Sequence, residues 1–232
     1  MQYGPKINTN GLVLAFDAGN LLSYSGSGTS LTDLTGLGNY GTLTNGPTFD
    51  SEKGGSIVFD GTNDYVNVPY NSILNTPSGA TYEIWFKPAV GKTGTFLNRG
   101  TSDAGATPDN PRFVVYSTGK LYFDWSSTGS DVYLETVTEV VTLGSWNQVV
   151  GLASPNSQLR TFVNGSETSY ATRVATLPAT LPNTSTSLEI GAATWASSYF
   201  TGNIAIVRLY NRALSTAEIL QNYNATKSRF GL

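Results

Sequence analysis

The stretch that decides the fold runs from Thr81 to Pro88 and reads TYEIWFKP. Side chains of an extended strand alternate between its two faces. Tyr82, Ile84 and Phe86 therefore point one way, and Glu83, Trp85 and Lys87 the other. The same period of two continues outward along the chain. Upstream lie the apolar run GLVLAF (Gly11–Phe16) and the alternating pieces SIVFD and DYVNVP, within Ser56–Pro69. Downstream, RFVVYS and KLYFDW flank Thr118-Gly119, and SWNQVVGLA and QLRTFVNGSE flank Ser154–Ser157. Asn164-Gly165 is the strongest hairpin signal, because both residues tolerate positive φ. SLEIGA and GNIAIVRLYN complete the series. Many short strands separated by turn residues predict an all-β, two-sheet antiparallel sandwich. No helices alternate with the strands, which argues against a parallel sheet.

One helix is expected near the end, over about residues 216–226. Ser215 is placed to cap it, and Glu218 three residues later completes a capping box. Leu214 and Ile219 sit where a hydrophobic staple packs. Ser23–Asn45, Arg99–Pro111 and Ala171–Thr186 read as long loops. Residues 1–10 form a polar arm containing Pro5, expected to be ordered by a neighbour. Residues 11–232 are read as one domain.

Charged residues make up only 12% of the chain, so Ser, Thr, Asn and Gly must build most of the surface. Such a surface suits an extracellular or particle-borne protein. Net charge is −3, from 13 basic and 16 acidic residues, with no cationic cluster. Nucleic-acid binding and a polybasic membrane contact are not expected. There is no cysteine and no histidine, which removes disulfides, thiolate metal sites, the usual zinc ligands and the usual hydrolase triads. Met1–Gly19 lacks the pattern of a cleavable export signal, and no apolar run is long enough to span a membrane. Release by lysis, as for a virus particle, would fit.

GSIVFDGTNDYVNVP (Gly55–Pro69), TYEIWFKP, GSWNQVVGLASPNSQLRTFVNGSE (Gly144–Glu167) and LEIGAATWASSYFTGNIAIVRLYNRALSTAEI (Leu188–Ile219) together resemble the laminin-G-like, concanavalin A-like jelly-roll family. The opening Gly11–Leu43 and the ending Tyr210–Leu232 are similar to the version found in structural proteins of tailed phages. The resemblance implies two packed antiparallel sheets. It leaves function open, because such folds serve as carbohydrate-binding modules, adhesion domains, glucanases and virion proteins. Many relatives read IDEVRIYNRAL where this chain reads IAIVRLYNRAL (Ile204–Leu214), with Ala205 and Ile206 in place of an acidic pair. In some relatives the first acid helps hold a structural calcium, which Ala205 cannot do.

Three kinds of site follow. The cluster Asp60-Gly61-Thr62-Asn63-Asp64 is expected to be a turn. A structural calcium held by Asp60 with Asp17 is the minority reading, and no other cofactor is expected. Glu135 and Glu139 are the nearest candidate for a catalytic pair. On one strand they would stand roughly 13 Å apart, too far for either route of glycoside hydrolysis. Sugar rings stack on exposed aromatics, and Trp125, Trp195 and Tyr199 are the candidate platforms, with Trp85 and Trp146 assigned to the core. Sequons at Asn164, Asn183 and Asn224 are read as incidental. The expected role is a non-enzymatic virion structural protein on the particle surface, a capsid decoration or tail-associated module. Its partners would be other virion proteins, cell-surface glycans and further copies of itself. The alternative is a free-standing carbohydrate-binding lectin-like module, and a glycoside hydrolase stands third.

Overall fold

A computed structural model of the chain describes residues 6–101, 111–127, 130–137 and 139–232. Met1–Pro5 and most of the expected Arg99–Pro111 loop lie outside the described residues. Two large antiparallel sheets face each other. The first runs, edge to edge, Ser166–Glu167, Arg160–Val163, Asn147–Ala153, Ala80–Pro88, Thr201–Tyr210, Ser56–Asp60, Thr48–Asp50, with Leu12–Asp17 also paired to Thr201–Tyr210. The second runs Tyr170–Val174, Ser130–Thr136, Leu121–Ser127, Arg112–Val115, Gly94–Asn98, Leu188–Ile190, Tyr65–Val68, Tyr40–Thr44, Ser30–Thr32. Ala192–Ala193 and Ser198–Tyr199 pair as a small ribbon. The expected all-β sandwich is therefore the fold. The Ser23–Asn45 segment is not a plain loop, since it contributes the edge strand Ser30–Thr32 and the strand Tyr40–Thr44 beside it.

The expected turns form for the expected reason. Asn164 and Gly165 adopt φ of 51° and 79° and join two paired strands. Gly119, at φ 84°, closes the turn between Arg112–Val115 and Leu121–Ser127.

The main core lies between the sheets. Tyr82, Ile84 and Phe86 enter it from one side, and Phe113, Val115, Leu121, Phe123, Val132 and Leu134 from the other. Rings stack within this layer, Phe86 on Phe96 from one sheet to the other at 4.6 Å and Phe113 on Phe123 between neighbouring strands of the second sheet at 4.2 Å between centroids. Gly151 sits mid-strand beneath them. A Cβ there would lie 2.2 Å from Phe113, so only glycine admits the ring.

The other face of TYEIWFKP is an interior too. The helix Thr216–Phe230 lies across it, ended by Gly231 in the left-handed conformation at φ 80°. It is one turn longer than the expected 216–226, because Phe230 stacks on Trp85 at 4.6 Å. Tyr223 stacks on the same indole at 5.9 Å. Ala205 and Ile206 fill this contact, which gives the missing acidic pair a packing explanation. Beside it, Glu83 is 1% exposed and accepts hydrogen bonds from Arg208, Trp85, Gln148 and Asn222. Residues 6–10 are tied down here as well. Asn222 Oδ1 accepts from the Asn8 amide at 2.7 Å, and Tyr210 donates to the Asn8 carbonyl at 3.0 Å.

Candidate functional site

Alternation fixes what the second sheet shows to the outside. Phe113, Phe123, Val132 and Leu134 point into the core. Their neighbours Arg112, Val114, Tyr122, Asp124, Tyr133 and Glu135 therefore point out. Register brings these together: Tyr122 stands opposite Glu135, and Asp124 stands opposite both Tyr133 and Arg112. The Tyr122 and Tyr133 rings stack at 5.6 Å, diagonal neighbours across adjacent strands. The Arg112 guanidinium lies over Tyr122 at 5.6 Å and over Trp195 at 5.4 Å. It also pairs with Asp124 at 3.1 Å, while Lys120 pairs with Glu135 at 3.3 Å.

Trp195 reaches this patch from a short turn, Thr194–Ala196, which Ser197 closes at φ 50°. Glu189 anchors the turn by accepting from the Thr194 amide and hydroxyl, and it also accepts from Asn98. Trp195 is partly exposed, and its buried indole N–H has no partner among the described residues. Burial, with the Asp124 carboxylate next, pushes the Tyr122 phenol up. Burial, with Glu135 next, does the same to Tyr116. Both hydroxyls therefore stay protonated near neutral pH and can donate as well as accept. The patch offers half-buried ring faces framed by paired charges, an arrangement that can stack a sugar ring and bond its hydroxyls.

The sequence candidates fare differently. Trp125 is not an exposed platform. It is 1% exposed and meets Tyr82 edge-on inside the core, because it shares the parity of Leu121 and Phe123. Trp195 is part of the patch. Tyr199 is half-buried in the small ribbon, paired with Ala192. Tyr116, Tyr122 and Tyr133 were not singled out from the sequence, although the alternation around Phe113, Phe123 and Leu134 marks them as outward.

Asp17 and Asp60 are not brought together. They pair with Ile206 and Thr201 of the same strand, five positions apart, or roughly 16 Å at strand rise. Asp17 bonds Arg229 at 2.7 Å and the Gly19 amide at 2.9 Å. Asp60 accepts from the Thr62 amide at 2.7 Å and Gly61 takes φ 81°, the geometry of a turn. Among the described residues, no three of Asp, Glu, His and Cys cluster to hold a metal. Glu135 and Glu139 do not share a strand either, since Ser130–Thr136 ends before Glu139.

Residues 60–220 match the family model described as the concanavalin A-like lectin/glucanases superfamily, and the chain belongs to that family. No curated protein matches the sequence. Among solved structures, domain 4 of the extracellular arabinanase AbnA from Geobacillus stearothermophilus, in complex with arabinotriose, is 17% identical with a TM-score of 0.67. That match covers 91% of this chain and 98% of the other. The binding domain of Paraclostridial Mosquitocidal Protein 1 is 14% identical with a TM-score of 0.71, over 93% and 52% of the two chains. Trypanosoma rangeli sialidase in complex with the inhibitor DANA is 16% identical with a TM-score of 0.66, over 96% and 34%. The chain thus spans about half of the toxin binding domain and a third of the sialidase. At these identities the likeness establishes the fold.

Proposed function

We propose that the chain is a non-enzymatic carbohydrate-binding module whose ligand lies against Tyr122, Tyr133 and Trp195 on the outer face of the second sheet. The observation that carries this reading is the Tyr122–Tyr133 stack, with Arg112 laid over both Tyr122 and Trp195. Both cations of the patch are already paired with carboxylates, so the face suits an uncharged, hydroxyl-rich ligand. The arabinanase domain in complex with arabinotriose supports the reading by analogy of fold. Display on a virion, beside other particle proteins, is the setting we propose, on the low surface charge and the phage-like ends of the sequence.

The test is a glycan array probed with and without calcium. Binding is expected in both conditions. Tyr122→Ala/Tyr133→Ala is expected to weaken it at least tenfold while the melting temperature stays close to wild type. Absence of binding to any glycan would overturn the reading. Bound oligosaccharides are expected to be recovered intact, with no new reducing ends.

A further inference from the structure

A second cleft lies at another part of the same sheet. It has a volume of about 350 Å³ and is lined by Asn39, Tyr40, Tyr70, Asn71 and Ser72. That volume is at the small end of ligand pockets. Tyr40 opens the strand Tyr40–Thr44, and Tyr70 follows the neighbouring strand Tyr65–Val68, so the antiparallel pairing sets the two at one end. Tyr40 is 53% exposed and Tyr70 45%, unusual for rings on a chain that buries most of its aromatics. The Tyr40 hydroxyl makes no hydrogen bond among the described residues, and Tyr70 only a long one from Asn75 at 3.5 Å.

The cleft floor is held in place. Asn39 donates to the Val13 carbonyl at 3.1 Å and to Asp33 at 3.0 Å, and accepts from Asn71 at 3.0 Å. Asn71 in turn accepts from the Ile73 amide. A carboxamide has two N–H donors, and Asn71 uses one of them. Asp33, the carboxylate behind the floor, is saturated by Ala15, Thr35 and Asn39. Among the described residues, no Lys, Arg, Asp or Glu lines the cleft.

We infer that the Tyr40–Tyr70 cleft is a second saccharide site, for a neutral sugar unit stacked on a tyrosine and bonded by the Asn71 amide. Exposed rings supply the apolar face, and a fixed amide supplies direction without an ordering cost at binding. An anionic sugar would find no cation there. The ligand class rests on the sugar-binding reading of the first site; the cleft itself does not.

The intact protein, labelled with ¹⁵N, would be titrated with arabinotriose, cellotriose, maltotriose, mannotriose and N-acetylchitotriose. The side-chain amide of Asn71 reports the cleft, and the indole N–H of Trp195 reports the first site. We expect at least one sugar to shift both signals. Tyr40→Ala/Tyr70→Ala should then abolish the Asn71 shift and leave the Trp195 shift, with folding checked by the unchanged remainder of the spectrum. Tyr40→Phe/Tyr70→Phe should retain part of the Asn71 shift, because the stacking faces remain. Shifts confined to Trp195 would overturn the second site and leave the first standing. Shifts confined to Asn71 would support the second and overturn the first. If neither signal moves with any sugar, both fall.

Discussion

Glu83 and Arg208 stand directly opposite each other on neighbouring strands, with their charged groups 2.7 Å apart and almost out of solvent. Removing one member of such a pair strands the other charge in the interior. Glu83→Ala is expected to cost about 3–5 kcal/mol in urea unfolding, while an apolar double replacement at Glu83 and Arg208 should cost far less. The Asp17–Arg229 pair leads to a separate expectation. With Asp17 held by Arg229 and Asp60 by its own turn, millimolar calcium or a chelator should leave the melting temperature unchanged. A clear upward shift with calcium would contradict that. At this scale the sequence is legible where a residue follows its local parity. Trp125 sits in step with Leu121 and Phe123, and that parity outweighs its position near a strand end. Trp195 is different. Its approach to Arg112 joins segments 83 positions apart, and only the folded sheet brings them together.

The helix Thr216–Phe230 has the cap that its sequence announces. Ser215 accepts from the Glu218 amide, and Glu218 accepts from the Ser215 amide. Arg212 grips the same carboxylate at 2.7 Å. Chiefly because of that bond, the Glu218 carboxyl falls from its ordinary 4.5 to about 2. The folded state therefore prefers the ionised form. This stabilisation is complete above about pH 4.5 and is lost as pH falls through 2. Glu218→Gln should flatten that part of the stability–pH curve measured by urea titration, and Ser215→Ala should cost about 1 kcal/mol at neutral pH. The start of the helix was legible because capping is local chemistry. Its end was not. Thr226-Lys-Ser-Arg reads as a polar tail until Phe230 is seen against Trp85.

As a whole, the molecule has two interiors, one between the sheets and one beneath the helix. Period-two patterning revealed the first. The second was legible only in part: Trp85 is assigned to the core from the sequence, but Glu83 on the same face reads as outward until the helix covers it. The outward face of the second sheet, by contrast, shows only scattered tyrosines in sequence, and it becomes a site through register. The described chain also begins and ends on one side. The Lys6 carbonyl accepts from Gln221 at 2.7 Å, and Phe230 lies nine residues further along the same helix, roughly 14 Å away. A linker of a few glycines could span that gap. The chain can therefore be circularly permuted, with residues 6 and 232 joined and new ends cut at the Ser154–Ser157 turn. Such a permutant would present both tyrosine-lined surfaces on a scaffold in which Leu12–Asp17 and the helix Thr216–Phe230 no longer lie next to free ends.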